Sequence, residues 1–374
     1  MDLSSYKCMG KKRVEIKNFM KGFGNMRLEI SNIKDIVDKK KDFSGVVFIK
    51  EKGNEIYKQA FGYANRSYKV LNNIDTKFGI ASGCKLFTAI AICQLADKGT
   101  ISFETKLKDC LNIDFPKFDS NITIHHLLTH SSGIPDYFDE EVMNDFSELW
   151  NERPMYNIKT PKDFLPMFQN RNMDFTPGDR FKYNNAGYIL LGLVVEEQTG
   201  VEFSEYIEKN IFEPCEMFDS GYFSLDRLPI NTANGYIKEK SGEWKTNIYS
   251  IPIIGGPDGG AYTTVRDLSK IWNGIFTNKI LSKKATKTML KPHINVKGDF
   301  NYGYGVWISK KDNEIFKYYI MGEDPGVSMM SSVYPKYNIE VTIIGNIEFG
   351  TWDIAKEIQS LISRESKNED KRYI

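Results

Sequence analysis

Strand patterns stand at both ends of this chain, and helical patterns fill the space between them. Near the start, GVVFIK (45–50) and EIYKQAFGY (55–63) flank EKGN, which predicts a hairpin with Gly53 in its turn. TKFGI (76–80) reads as a third short strand. Near the end, strands are predicted over 303–309, 315–320, 327–334 and 339–345, with YPKYN as the last turn. Helices are predicted between them at 85–97, 124–128, 140–150, 161–168, 187–198, 203–210, 265–276 and 283–290. Two amphipathic helices frame the whole. One carries Ile30, Ile33 and Val37 on a face, and the other carries Ile354, Ile358, Leu361 and Ile362. A sheet drawn from both ends makes the middle an insertion. The predicted fold class is therefore α/β of the α+β type, an antiparallel-rich sheet flanked by helices plus an inserted mainly helical domain. The sheet domain is built from 26–82 and 255–364, and the insertion spans 83–254. Residues 1–25 read as a basic, loosely ordered extension, with Met26 as an alternative start, and 365–374 as a charged tail that frays.

Bulk properties narrow the function. Fifty Lys and Arg against 49 Asp and Glu give no basic field for a nucleic-acid partner. The cysteines, Cys8, Cys84, Cys93, Cys110 and Cys215, form no CxxC pair. Cys84 and Cys93 fall in one predicted helix, roughly 13 Å apart at the standard rise, too far for a disulfide. Reduced thiols are expected, and with them a cytoplasmic location. The first residues lack the continuous apolar core of a signal peptide, and no apolar run is long enough for a membrane span. Oligomeric state is not fixed by the sequence.

The stretch FGIASGCKLFTA (78–89) sets the chemical question. Serine stands three residues before lysine at Ser4/Lys7, Ser31/Lys34 and Ser82/Lys85. Only the third pair opens an apolar helix. That spacing puts both side chains on one helical face, one turn apart. Burial disfavours the ammonium form, so Lys85 can serve as a base for the Ser82 hydroxyl. The bland alternative is an N-capping Ser82 with Lys85 snorkelling to water. FKYNNAGYILLGLVVEEQTG (181–200) places Tyr183 and Asn185 ahead of another apolar helix. Tyr183 is a candidate proton shuttle, and Asn185 a candidate ligand for a substrate amide or for Lys85. Here too capping by Asn185 and packing by Tyr183 stay open.

Other constellations are weaker. His126 and His130 in HHLLTH have a zinc-compatible spacing, but the metalloprotease glutamate is absent, and helix packing with a structural turn at THSSG is expected instead. Ser82 lies in no GxSxG elbow. GGPDGG lacks the Gly-Lys-Ser/Thr of a phosphate loop. Cys84 reads as a small buried thiol.

FGIASGCKLFTAIAICQLADKG, ITIHHLLTHSSGIPDY, FTPGDRFKYNNAGYILLGLVVEEQTG and GGPDGGAYTTVRDL together resemble, in order and spacing, the serine β-lactamase-like family. The likeness is to its class C β-lactamase and penicillin-binding-protein-like branch and runs from about residue 43 to about 348. It implies a sheet domain and a helical domain with the active site between them. It also implies Ser82 as nucleophile with Lys85 and Tyr183 as proton partners, Asn185 as a substrate contact, and no cofactor. Aligned on DPG (324–326), the third family motif becomes Ile320-Met321-Gly322, so isoleucine replaces the usual Lys or His. Gly322 is kept, and the backbone amides of Ser82 and Glu323 are implied as the oxyanion hole. The expected function is a serine hydrolase acting through an acyl-enzyme on an ester or amide of a small molecule or short peptide. The alternatives are a true β-lactamase or D-amino-acid peptidase and, in another class, a catalytically impaired penicillin-fold binding or regulatory protein.

Overall fold

A computed structural model describes residues 28–370 apart from Glu140 and Asn144, with side chains to Arg364. The predicted N-terminal extension, Met26 and Cys8 lie outside the described residues. Among those described, the main sheet has eight strands. They are β1 (Gly45–Glu51), β2 (Asn54–Phe61), β3 (Ile294–Lys297), β4 (Phe300–Tyr302), β5 (Trp307–Lys311), β6 (Glu314–Asp324), β7 (Val327–Tyr334) and β8 (Ile339–Gly345). The order is β2-β1-β8-β7-β6-β5-β4-β3, antiparallel throughout. Its first and last strands in chain order pair as second and third in the sheet, with Gly45 opposite Gly345 and Glu51 opposite Ile339.

Each face of the sheet is covered. The principal helices are α1 (Ile30–Asp38), α2 (Lys85–Asp97), α3 (Ile124–Leu128), α4 (Asn185–Thr199), α5 (Val265–Phe276) and α6 (Thr351–Asp370). On one face, Ile33 and Val37 of α1 and Ile354, Ile358 and Ile362 of α6 pack on Val47, Ile49, Val341 and Ile343. On the other, Val46, Phe48, Met329 and Ile344 join a larger core that runs through α2 and α4. There Trp272 of α5 donates its ring N–H to Ser331 Oγ at 2.9 Å. Helix α2 is buried from Lys85 to Leu95, and α4 from Asn185 to Val195. Helices apolar all round belong inside a protein, so these two form the centre of the molecule.

Several expectations are corrected. The helix predicted over 140–150 is a 3₁₀ turn at Phe146–Trp150. Asp139 accepts the Glu141 N–H at 3.0 Å and Asp145 that of Ser147 at 2.9 Å, side-chain bonds that compete with helix. The helix over 161–168 is 3₁₀ at Pro161–Met167, with Pro166 removing a donor inside it. The segment 203–210 is helical only to Ile207 and widens into a π-turn at Glu208–Phe212. The strand predicted from 303 begins at Trp307, and the hairpin of β3 and β4 ahead of it was not expected. Residues 303–306 turn instead. Gly305 has φ +69°, and a Cβ there would lie 2.5 Å from Ala89 Cβ and 2.8 Å from the Lys85 carbonyl oxygen. Only glycine brings this loop down onto α2. The backbone of α6 stays helical to Asp370, into the segment expected to fray, because no glycine or proline interrupts it.

A buried carboxyl crosses the sheet at Glu340, opposite Lys50. Ser269 Oγ donates to Glu340 Oε2 at 2.9 Å and accepts from Lys50 Nζ at 2.8 Å, while Glu340 Oε1 has no partner. Burial pushes the Glu340 pKa up to about 7. A raised carboxyl pKa means that the folded protein holds this proton more tightly than the unfolded chain. Its contribution to stability is therefore present at low pH and lost as pH rises through about 7. Urea melts from about pH 5 to about pH 8 should give Glu340→Gln a flatter stability profile than the parent protein. Parallel profiles would contradict this.

Candidate active site

Ser82 sits where a short strand hands the chain to α2. Phe78–Gly79 pairs with Tyr262–Thr263, and the Ile80 N–H reaches the Ala261 carbonyl at 2.9 Å. Ala81 then turns left-handed, φ +44°, a conformation that costs a non-glycine residue roughly 1–2 kcal/mol. Residues Ala81–Cys84 form a 3₁₀ turn that runs directly into α2 at Lys85. Neither segment has a side-chain N-cap, so Ser82 is not a capping serine.

Lys85 does not snorkel; it is 2% exposed. Its Nζ donates to Ser82 Oγ at 2.9 Å, Asn185 Oδ1 at 2.8 Å and the Asp258 carbonyl at 2.7 Å. Three oxygen atoms from three separate segments thus surround the one nitrogen. The Tyr183 ring centroid lies 4.9 Å from the same nitrogen, and that of Tyr188 5.6 Å. The predicted quartet Ser82, Lys85, Tyr183 and Asn185 is thus one cluster.

Two carboxylates that the sequence reading did not single out hold this cluster. The cap of α4 is Asn184, whose Oδ1 accepts from the Gly187 N–H at 2.7 Å, which leaves the Asn185 side chain for Lys85. Asp136 accepts the backbone N–H groups of Asn185 at 2.7 Å and Ala186 at 3.0 Å, and the Asn185 side-chain amide at 3.2 Å. Burial pushes its pKa up to about 7, against these donors and the Lys85 charge. Asp258 offers its carbonyl to Lys85 and its carboxylate to the Tyr137 hydroxyl, and burial raises both acids above their ordinary values. The signal for Asp136 was an acid in GIPDY suited to a helix N-terminus, but its helix lies some fifty residues further along the chain, with a sequence separation of 49 to Asn185.

Strand β6 closes the other side. A Cβ on Gly322 would stand 2.2 Å from the Ile80 carbonyl oxygen and 2.9 Å from the Ser82 nitrogen, so the strand edge lies directly on the serine turn. Glu323 is exposed at the rim and accepts from Trp352 Nε1 at 2.7 Å. Ile320 is 2% exposed, packed in the main core, and lines neither cleft cavity. Met321 lines the cleft instead, with Phe138, Tyr183, Trp307 and Trp352. Lys317, on the same strand, packs over the Tyr319 ring at 4.0 Å, and burial lowers its pKa to about 8.

Two cavities meet at Ser82, Phe138 and Glu323, one of them about 280 Å³. Among the described residues, the charged side chains lining them are Asp145, Asp258, Glu323, Asp324 and Glu348, and no lysine, arginine or histidine lines either. Glu348 is raised by burial and then by the charges of Glu323 and Asp145, which marks this rim as a region of like charge.

The sequence profile described as Beta-lactamase matches residues 30–360. The chain belongs to the β-lactamase family. Among curated β-lactamase-family relatives, penicillin-binding protein 4* of Bacillus subtilis (strain 168) is 28% identical over 346 residues, covering 87% of this chain and 73% of that one. The crystal structure of a penicillin binding protein from Bacillus halodurans is 50% identical, with TM-score 0.85, covering 88% and 99%. The D-amino acid amidase from Ochrobactrum anthropi SV3, 22% identical with TM-score 0.75 over 91% of this chain and 99% of that one, shares the fold. This β-lactamase/transpeptidase-like fold is the one expected from the sequence, and its chemistry is serine hydrolysis through an acyl-enzyme.

The remaining motifs have structural roles in this β-lactamase-family chain. His126 forms a reciprocal capping box with Thr123 at the start of α3. His125 bonds the Tyr304 hydroxyl at 2.9 Å. No metal-binding cluster occurs among the described residues. Cys84 is buried, and its thiol is pushed up to about 12 by desolvation, so it is no rival nucleophile. No helix among the described residues is long and apolar enough to cross a membrane.

Gly322→Ala tests the strand-to-turn contact. It should cost on the order of 1–3 kcal/mol in chemical denaturation, because the obstacle is backbone. It should also slow covalent labelling of Ser82; an unchanged labelling rate would show the contact to be dispensable.

Proposed function

We propose that Ser82 is the nucleophile of a serine hydrolase that cleaves an ester or amide lacking an obligatory carboxylate. The observation that carries this is the 2.9 Å contact between Lys85 Nζ and Ser82 Oγ, inside a buried cluster at the end of an open cleft. Ser82 Oγ bonds to the substrate carbonyl carbon while its proton passes to the Lys85–Tyr183 pair. That pair returns a proton to the departing alcohol or amine as the acyl–heteroatom bond breaks. A water then enters and repeats the exchange to free the acid. Asn185 orients both Lys85 and the substrate. The backbone N–H groups of Ser82 and Glu323 receive the oxyanion, the role that makes the tight fit of Gly322 useful. In this reading the sheet domain (26–82 and 255–364) supplies Ser82 and Gly322, and the insertion (83–254) supplies Lys85, Tyr183 and Asn185. A cytoplasmic location belongs to the same reading and is supported by the buried free thiols of Cys84, Cys93, Cys110 and Cys215.

The carboxylate-free substrate is argued from charge. Ile320 stands where the family carries Lys or His, so one charge-assisted hydrogen bond worth about 1.5–3 kcal/mol is lost to a substrate carboxylate. Asp145, Glu323, Asp324 and Glu348 would repel an anion in the same cleft. The penicillin-binding relatives favour the second reading, a β-lactamase or D-amino-acid peptidase.

Labelling with a fluorophosphonate and with a fluorescent penicillin, followed by peptide mapping, separates the readings. Modification of Ser82 by the fluorophosphonate alone is expected. Labelling by both would move the assignment to penicillin recognition, and labelling by neither in folded protein to a binding protein without turnover. Ser82→Ala should abolish labelling while the protein remains folded. Lys85→Met should slow it by about 10²–10⁴-fold, the usual worth of a general base.

A further inference from the structure

His130 carries two costs that packing alone does not explain. It follows α3 with φ +56°, in the position after a helix where glycine or asparagine is usual. Its own N–H reaches the Leu127 carbonyl at 3.3 Å, and the Ser131 N–H reaches that of His126 at 2.9 Å. The side chain is 1% exposed, and its Nε2 has no hydrogen-bond partner. A buried orphan nitrogen on a strained residue calls for a reason.

Its contacts supply one. The His130 carbonyl accepts the Lys182 N–H at 2.8 Å, and His130 Nδ1 accepts the Asn184 N–H at 3.1 Å. These two bonds flank Tyr183 in the chain. The imidazole also lies 4.5 Å from the Tyr183 ring, centroid to centroid, and Trp307 stacks on that tyrosine at 6.2 Å. The other groups facing the imidazole are Phe181, Tyr188 and Tyr302, with the Lys85 charge close enough to act on it. None of them is an anion that would favour an imidazolium. Because Nδ1 accepts, the proton of the neutral ring is on Nε2.

We propose that His130 is a positioning residue for Tyr183, a neutral Nε2–H imidazole that clamps residues 182–184 and fixes the phenol against Lys85 and Ser82. This rests on the reading that Tyr183 takes part in proton transfer. Burial and the Lys85 charge both hold the His130 pKa well below its ordinary value, in keeping with a neutral ring.

A double-mutant cycle tests it, read as the second-order rate of Ser82 modification by a fluorophosphonate. His130→Phe keeps a ring and removes the acceptor. His130→Phe and Tyr183→Phe should each slow labelling by roughly 10-fold or more, and the double variant should be no slower than Tyr183→Phe. A structural filler would instead give multiplied losses, and that result overturns the proposal. So does a folded His130→Phe that labels at the parental rate. If His130→Phe does not fold, His130→Gly runs the same cycle, since glycine tolerates the left-handed backbone and also removes the acceptor. Tyr183→Phe at the parental rate would remove the underlying relay, a failure visible without any His130 variant. Independently, nitrogen-15 spectra of the full chain, which has only four histidines, should show His130 neutral with its proton on Nε2 from about pH 5 to about pH 8. An imidazolium or the opposite tautomer would overturn the assignment.

Discussion

Everything in the site depends on the three hydrogen bonds of the Lys85 amine. A buried lysine without acceptors is costly enough to unfold its surroundings or lose its proton. Here the acceptors come from Ser82, from Asn185 a hundred positions later in the chain, and from the Asp258 carbonyl further still. The serine turn, the start of α4 and the glycine-rich loop must therefore converge on one nitrogen. Asp136 and Tyr137, adjacent in sequence, tie two of these segments, one through the Asn185 amides and the other through the Asp258 carboxylate. The site is a crossing point of the fold.

What the sequence disclosed follows from how local each cause is. Helices α2 and α5 begin and end where predicted because an apolar run or a capping threonine marks them on the spot. The Ser82–Lys85 pair was legible for the same reason, since one turn of helix fixes it. Residues 140–150 and 161–168 misled because Asp139, Asp145 and Pro166 override an otherwise helical composition. Asp136 and Asp258 were not legible as partners of this cluster because the groups they hold lie far along the chain, and spacing cannot reveal such pairs. Asn185 was read with its capping role open. The structure gives that role to its neighbour Asn184.

The cleft also joins chemistry to selectivity. Its walls are aromatic and aliphatic near Tyr183, Trp307 and Met321, and its charged rim is acidic. Ile320 lies behind the wall, in the core. It brings no cation to the cleft and lines neither cavity.

The pairing of β1 with β8 governs how such a chain can be made. The strand at residues 45–51 finds one neighbour at once in β2, yet its other neighbour is residues 339–345. During synthesis the edge bearing Val46, Val47, Phe48 and Ile49 stays open until residues 339–345 have left the ribosome. An apolar strand with an unsatisfied edge is a template for pairing with other chains. The helical middle emerges long before the last strand does. Productive folding of this enzyme is thus a race between the completion of its own sheet and the capture of that edge by a stranger.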